Sequence, residues 1–495
     1  MKITRLEIDD FRAFPGPDPY LFDFAGKNVL IYGENGSGKT SVFHAMRELF
    51  NLSASPRPFH QFKHRATPQT DGYVAVTFSD GNRHVWSYGA ERPTAVDVIA
   101  QTARRKGCLD YRGLLQTNFL HGRNRVNVFD LVVGELWRDL SMPYSGGTRT
   151  VGELWSMVGR AFPKKVEKRA VDGIIRTRWQ PATHRRKRNV AGRLADFNTS
   201  LRAQIPVLQA ETQRLLDTYF RFDLSVHLEF PGVGPAQNSR APHSTELWLD
   251  AGFRGARLQE FQNELNEARL TALALALYAA GLRLSIPPDP TKPRLLVLDD
   301  VLIGLDLSNR MPLLEMLSAE FGDWQVVLLT HDPVWFEMAK EYTENTGEWT
   351  HLRLFDVPHP SLGSVPRLES DKLDLERARQ HLGTGDLKAS ATYARSALEK
   401  RLRKVCADKA VRVRFRNNPK EVKANELWQG ILGRNKAFIA EGKPPFIEAN
   451  LVNRIEAVRS VVLNELTHSR ITTLTTGDLN AAIHAVDEFE KFQFT

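Results

Sequence analysis

The 495-residue sequence predicts an α/β fold, a sheet covered on both faces by helices, followed by an all-α C-terminal domain. Three observations predict it. The runs Asn28–Tyr32 (NVLIY), Leu295–Leu298 and Trp324–Thr330 (WQVVLLT) are continuously aliphatic, as strands buried on both faces are. Helical spacing lies between them, as in Val42, Phe43, Met46, Leu49 and Phe50. Beyond residue 370 nearly everything reads helical, with Leu398, Leu402 and Val405 on one stripe.

Composition sets the class. Apolar residues make up 42% and charged residues 25%, ordinary for a globular chain of about three domains. Two distant cysteines, Cys108 and Cys406, exclude a disulfide framework and a C-x-x-C zinc module and imply a reducing compartment. The longest apolar run, Leu270–Leu282, is too short to cross a bilayer, and Met1-Lys2-Ile3 opens no secretory segment. The expectation is a cytoplasmic protein with no membrane partner.

In chain order, Ile3–Phe14 alternates apolar and charged residues and reads as an edge-like strand. Asn28–Tyr32 ends at a glycine-rich turn, and a helix follows from Ser41. Residues 72–88 alternate around Asp80-Gly81 and read as a hairpin. Residues 150–220 are polar and free of strand signals, so they read as a helical insert. Two strands, Phe222–Phe230 and Glu246–Gly252, precede a long helix over Glu260–Leu284. The Pro/Ser/Gly-rich stretch Pro358–Lys372 reads as a domain boundary. The expected organisation is an N-lobe at 1–150, an insert at 151–220, a C-lobe at 221–357 and a helical domain at 370–495.

The chemistry begins at Gly33-Glu34-Asn35-Gly36-Ser37-Gly38-Lys39-Thr40, with Ser41 next, which fits G-x-x-x-x-G-K-[ST]. In such a loop backbone N–H groups cradle phosphates, Lys39 neutralises their outer oxygens, and the Thr40 hydroxyl ligates Mg²⁺. The helix N-terminus faces the same anion. A second motif is Leu295–Leu298 followed by Asp299 and Asp300. A carboxylate ending a buried strand is costly unless it serves a cation, which suits Asp299, while Asp300 stands where a base orients water. The two motifs together predict a P-loop NTPase that takes ATP and Mg²⁺.

The order of the remaining motifs resembles the ABC-type ATPase head of the SMC/RecF group. The opening Lys2–Phe14 resembles that group's first strand, and Gln116 lies where a Q-loop glutamine reaches the metal. Leu265–Thr271 occupies the signature position; Gly304-Leu305-Asp306 resembles a D-loop, and His331 an H-loop. The resemblance covers residues 1–355 and implies a short coiled-coil stub within the insert at 151–220, where that group has a long coiled coil. It also implies catalytic roles for Asp300, His331 and Gln116, with Gln116 also at the metal. It implies that Asn266, Glu267, Arg269 and Asp306 of one subunit meet nucleotide held by another, so that ATP joins a homodimer or higher homo-oligomer. Two departures stand out. The signature reads Asn266-Glu267-Ala268-Arg269 in place of Ser-Gly-Gly, a variant similar to that of ATPases linked to anti-phage systems and anticodon nucleases. Asp300 replaces the usual glutamate and implies slow turnover, which suits a switch.

Between Arg160 and Asn189 eleven basic residues, among them Arg185, Arg186, Lys187 and Arg188, face two acidic ones. That surplus equals the net charge of the whole chain, +9. With Trp179 and His184 it suits DNA or RNA; a solvated helical face or an acidic protein partner fits the same pattern. In the C-terminal domain Arg395, Glu399 and His468 are similar to the residues of HEPN-type RNases. Here the usual arginine ahead of the histidine is missing, with Leu463 in its place. An i, i+4 surface pair and a core histidine explain the same residues. The functions in contention are an anti-phage switch controlling an effector in cis or separately encoded, a RecF-like DNA-repair ATPase, and a slowly hydrolysing scaffold.

Overall fold

The computed structural model describes residues 1–52, 57–67, 71–89, 96–118, 125–160, 164–169, 175–180, 190–235, 242–243, 245–289, 291–344, 346–370, 374–412, 424–457 and 475–492. For residues 96, 115–118, 164–169, 175–180, 190, 235, 242–243 and 370 only the backbone is described. The chain divides into two units, Met1–Ser370 and Asp371–Thr495.

The first unit opens with β1 (Ile3–Asp9), β2 (Tyr20–Asp23) and β3 (Asn28–Gly33), then α1 (Lys39–Asn51). Next come β4 (Tyr73–Phe78), β5 (Arg83–Ser87), α2 (Val96–Arg104), β6 (Lys106–Asp110), α3 (Tyr111–Asn118) and α4 (Val151–Gly159). A hairpin, β7 (Lys164–Arg169) and β8 (Ile175–Gln180), precedes α5 (Val190–Leu215), β9 (Leu224–Glu229), β10 (Trp248–Phe253) and α6 (Glu267–Ser285). The unit ends with β11 (Leu295–Asp299), α7 (Leu307–Glu320), β12 (Gln325–Thr330), α8 (Pro333–Glu344), β13 (Trp349–His359) and β14 (Gly363–Ser370).

The central sheet runs β14-β13-β3-β12-β11-β6, parallel except for the edge strand β14. Its aliphatic strands supply two cores at once. Val29, Ile31, Leu295, Val297, Val327 and Leu329 enter the core around α1 and the antiparallel sheet β2-β1-β4-β5. Leu30, Leu296, Leu298, Val326 and Leu328 enter the core around α6 on the other face. Period-two exposure to two apolar layers is why these runs show no polar alternation. The Gln325 amide fastens the sheets together: its oxygen accepts from the Ile3 N–H at 2.7 Å and its nitrogen donates to the Ile3 carbonyl at 2.8 Å.

Four expectations are corrected. Strand β1 is an inner strand, paired by both β2 and β4, because its charged positions find partners across the sheet. Residues 164–169 and 175–180 pair as antiparallel strands in register Val166–Arg178, where Ile175, Thr177 and Trp179 alternate with Arg176 and Arg178 in the sequence. The helix after them is no coiled-coil stub, since Leu194, Phe197, Leu201, Ile205 and Leu208 along one face are buried in the head's own core. The long helix starts at Glu267 and not at Glu260, with a separate turn at Phe261–Glu264 before it. The stretch from Pro358, expected as a domain boundary, carries the β13–β14 turn and an edge strand of the central sheet, and the two units divide at its end, between Ser370 and Asp371.

The second unit contains α9 (Asp374–Gly383), α10 (Leu387–Asp408), α11 (Ala424–Ala440), α12 (Ala449–Ala457) and α13 (Thr476–Lys491). Leu398, Leu402, Trp428, Ile431, Ile483 and Phe489 meet in its core. Among the described residues no helix is long and apolar enough to cross a membrane.

Candidate functional site

The phosphate-loop segment joins β3 to α1 at the C-terminal end of the parallel strands, the end at which α/β sheets bind ligands. Gly36 and Gly38 take φ of 92° and 99°, conformations an L side chain rarely adopts. A Cβ at Gly33 would lie 2.3 Å from Ser37 Oγ and 2.9 Å from Lys39 Cγ, so the loop closes tightly on itself. Asn35 and Gly36 are exposed at its tip. Ser37 is buried with no hydrogen-bond partner for its hydroxyl. Ser41 Oγ accepts from the Ala13 N–H at 3.4 Å and ties the segment after β1 to α1.

Lys39 is only 4% exposed. Its ammonium donates to the Gly33 and Glu34 carbonyls at 2.7 and 3.0 Å. Burial lowers its pKa, while the Asp300 and Asp299 charges pull it up. Asp299, 3% exposed, ends β11 opposite Lys39 and accepts from the Thr40 hydroxyl. Burial and the Asp300 charge push its carboxyl up to about 6, against the Thr40 bond and Lys39. One Asp299 oxygen has no hydrogen-bond partner. A buried carboxylate oxygen left over beside a threonine hydroxyl is a pair of oxygen donors that fits Mg²⁺, with phosphate and water oxygens completing the shell. Among the described residues no group of three His, Cys, Asp or Glu gathers for a metal held by protein alone.

Asp300 has φ of 52°, and one of its oxygens accepts from the His331 N–H at 3.0 Å and lies 2.9 Å from His331 Nδ1. Gln116 lies in α3; its side chain is outside the described residues. Asp110, not singled out in the sequence, sits in register with Asp299 and accepts from the Gly113 N–H at 2.8 Å, fixing the start of α3. Its position at a strand end beside aliphatic Leu109 was the available signal.

The other predicted residues lie elsewhere on the unit. Asn266 caps α6, its side chain accepting from the Arg269 N–H at 3.1 Å. Asn266, Glu267 and Asp306 are exposed and line a cleft of about 470 Å³ with Ile303, Leu305 and Arg310; no phosphate-loop residue lines it. Arg269 is not among the lining residues: its guanidinium stacks on Phe253 at 4.6 Å and Phe222 at 5.7 Å. The structure therefore brings Lys39, Thr40, Asp299, Asp300 and His331 together and places Asn266, Glu267 and Asp306, the residues expected as signature and D-loop, on a second surface. In the second unit Arg395 and Glu399 form a 2.9 Å pair on α10. His468 and the cluster Arg185, Arg186, Lys187 and Arg188 lie outside the described residues.

Residues 5–103, about a fifth of the chain, match the AAA domain family. No curated protein matches the chain. Among solved structures, the Smc head bound to the C-winged helix domain of ScpA is 13% identical, covering 76% of this chain and 100% of its own, with a TM-score of 0.41. The Pyrococcus furiosus Smc head with an extended coiled coil, bound to the C-terminal domain of ScpA, is 13% identical over 77% and 99%, at 0.41. The SMC head domain from Thermotoga maritima is 14% identical over 75% and 100%, at 0.35. Likenesses of this size add nothing to the α/β class that the sheet itself displays.

Proposed function

We propose that residues 1–370 are an ATP-hydrolysing head of the SMC/RecF-like ABC type, and that two copies close around ATP and Mg²⁺. The convergence of Lys39, Thr40, Asp299, Asp300 and His331 at the ends of β3, β11 and β12 carries this reading. Bound MgATP would supply the phosphoanhydride and the charge that these residues meet. Lys39 exchanges the loop carbonyls for phosphate oxygens, and Thr40 and Asp299 hold the cation. Asp300 accepts the proton of the attacking water, with His331 orienting its carboxylate. The cleft of Asn266, Glu267 and Asp306 receives the partner copy's nucleotide.

In this reading the protein is a switch in anti-phage defence. Closure of the heads controls a nuclease or toxin, either its own C-terminal unit or a separately encoded effector, and the basic segment 160–189 contacts DNA or RNA. Support for the defence role is the likeness of Asn266-Glu267-Ala268-Arg269 to signatures of that branch; a RecF-like repair role shares every other feature. A slow scaffold is favoured by one observation, the engagement of Asp300 with His331. The test is mass by light scattering with ATP and Mg²⁺. Asp300→Asn is expected to persist as a dimer, and an Asp300→Asn chain that binds ATP yet stays monomeric refutes the shared site. In phage plating, Lys39→Ala is expected to lose protection; equal plating with and without the wild-type gene removes the defence role.

A further inference from the structure

A continuous set of polar contacts links the two surfaces, and Arg310 is its joint. Arg310 lies in the first turn of α7 and donates from Nε to the Leu305 carbonyl at 2.8 Å, gripping the D-loop. Its Nη1 forms an ion pair with the Asp332 carboxylate. The other Asp332 oxygen accepts from the Val334 and Trp335 N–H groups at 2.9 and 3.0 Å and so caps α8. Asp332 directly follows His331, which both its ring and its N–H fasten to Asp300. At the far end, the D-loop rests on the signature helix: a Cβ at Gly304 would lie 3.0 Å from Glu267 Cγ. Glu267 in turn accepts from the hydroxyl of Tyr111, the first residue of α3.

The side chains of Arg310 and Asp332 are 15% and 30% exposed. A pair so shielded is screened less by salt than a surface pair, and breaking it leaves a charge partly desolvated. Asp332 has one carboxylate for two tasks, and it cannot shift with His331 without dragging the guanidinium and the Leu305 carbonyl.

We propose that Arg310 is a positioning residue that makes the D-loop and signature surface of a subunit follow the state of that subunit's own Asp300–His331 pair. The inference rests on the nucleotide reading above but not on dimerisation. Packing alone could hold the D-loop, and then Arg310 would be a staple whose loss lowers stability without disconnecting the segments.

Hydrogen exchange on the full chain separates the two, with ATPγS and Mg²⁺, at concentrations where light scattering shows monomer. In the wild type, amides of both 301–307 and 331–335 are expected to slow by about fivefold or more, the low end of ordinary coupling between sites. In Arg310→Ala the 331–335 response is expected to remain and the 301–307 response to vanish. Asp332→Asn keeps the helix cap and loses the charge, so it should behave like Arg310→Ala even if that variant folds poorly. Retention of the 301–307 response in both variants overturns the proposal, as does a wild-type D-loop that ignores nucleotide. Loss of both responses with nucleotide affinity unchanged overturns it too. A dimer that forms normally alongside a retained response condemns this inference alone; a lost response in a chain that never dimerises condemns the shared-site reading alone.

Discussion

Gly304 is the point where the D-loop meets the signature helix, and replacing it tests that contact directly. Its backbone is one that any residue adopts, so Gly304→Ala adds only a methyl group. That carbon would sit 2.2 Å from Thr271 Oγ1 and 3.0 Å from Glu267 Cγ. Ordinary contact begins near 3.4 Å, so over 1 Å of movement is required. Thr271 is 1% exposed, so the close packing around it leaves its side chain little space to turn aside. Overpacking of this kind costs about 1–3 kcal/mol. Thr271→Ala removes the obstructing oxygen and, alone, costs about 1 kcal/mol for the lost contacts. The double variant should then be more stable than the sum of the two singles predicts by about 1–2 kcal/mol. Urea unfolding of the four proteins, followed by tryptophan fluorescence, measures this. ATP turnover should follow the same order, falling about tenfold in Gly304→Ala for each 1.4 kcal/mol by which the D-loop is displaced and recovering in the double. Strict additivity, or a Gly304→Ala protein equal to wild type, would show that the D-loop does not bear on α6 as described.

Two further outcomes follow from the loop and its flank. Asp9 is 5% exposed; burial and the Asp10 charge push its carboxyl from 3.8 up to about 6, and one of its oxygens lacks a hydrogen-bond partner. A carboxyl that holds its proton more tightly folded than unfolded adds stability that is complete below about 3.8 and lost as pH rises through about 6, so ionised Asp9 costs about 3 kcal/mol at pH 7. Asp9→Asn should therefore raise the urea midpoint at pH 7 and leave it unchanged near pH 3.5; an unchanged midpoint at pH 7 refutes this. Lys39→Ala should abolish binding of a fluorescent ATP analogue while leaving the far-UV circular dichroism intact, and retained binding would place the nucleotide elsewhere.

The parts of the head that were legible in the sequence are those whose chemistry is local. The glycine-lysine-threonine loop needs consecutive residues with particular backbone freedom, and a strand buried on both faces must be aliphatic throughout, so both patterns survive in one dimension. What was illegible depends on distant partners. Strand β1 carries Glu7, which looks like an edge charge until Arg83 is brought across the sheet to pair with it at 2.7 Å and Tyr73 to donate at 3.2 Å. Residues 164–180 hide a period of two because basic residues occupy both phases of it in β7. The helix start at Glu267 is fixed by Asn266, whose capping is visible locally; Glu260 misled because a short turn precedes the cap. Arg310 belongs to no motif and becomes meaningful only when α7 sets it between Leu305 and Asp332.

The aspartate at position 300 becomes intelligible once its backbone is considered. The chain leaves β11 at Asp300 in a left-handed conformation, φ 52°, which aspartate adopts far more readily than residues with longer side chains. From there the short carboxylate reaches both the His331 N–H and its ring nitrogen. A glutamate would extend one methylene further, strain the turn by about 1 kcal/mol, and carry its oxygens past the His331 N–H. Restoring the commoner residue, Asp300→Glu, is thus expected to leave ATP turnover equal to or below wild type, measured by phosphate release at saturating MgATP. A rise of about tenfold would mean that the His331 contact is incidental and that reach toward water alone limits the rate.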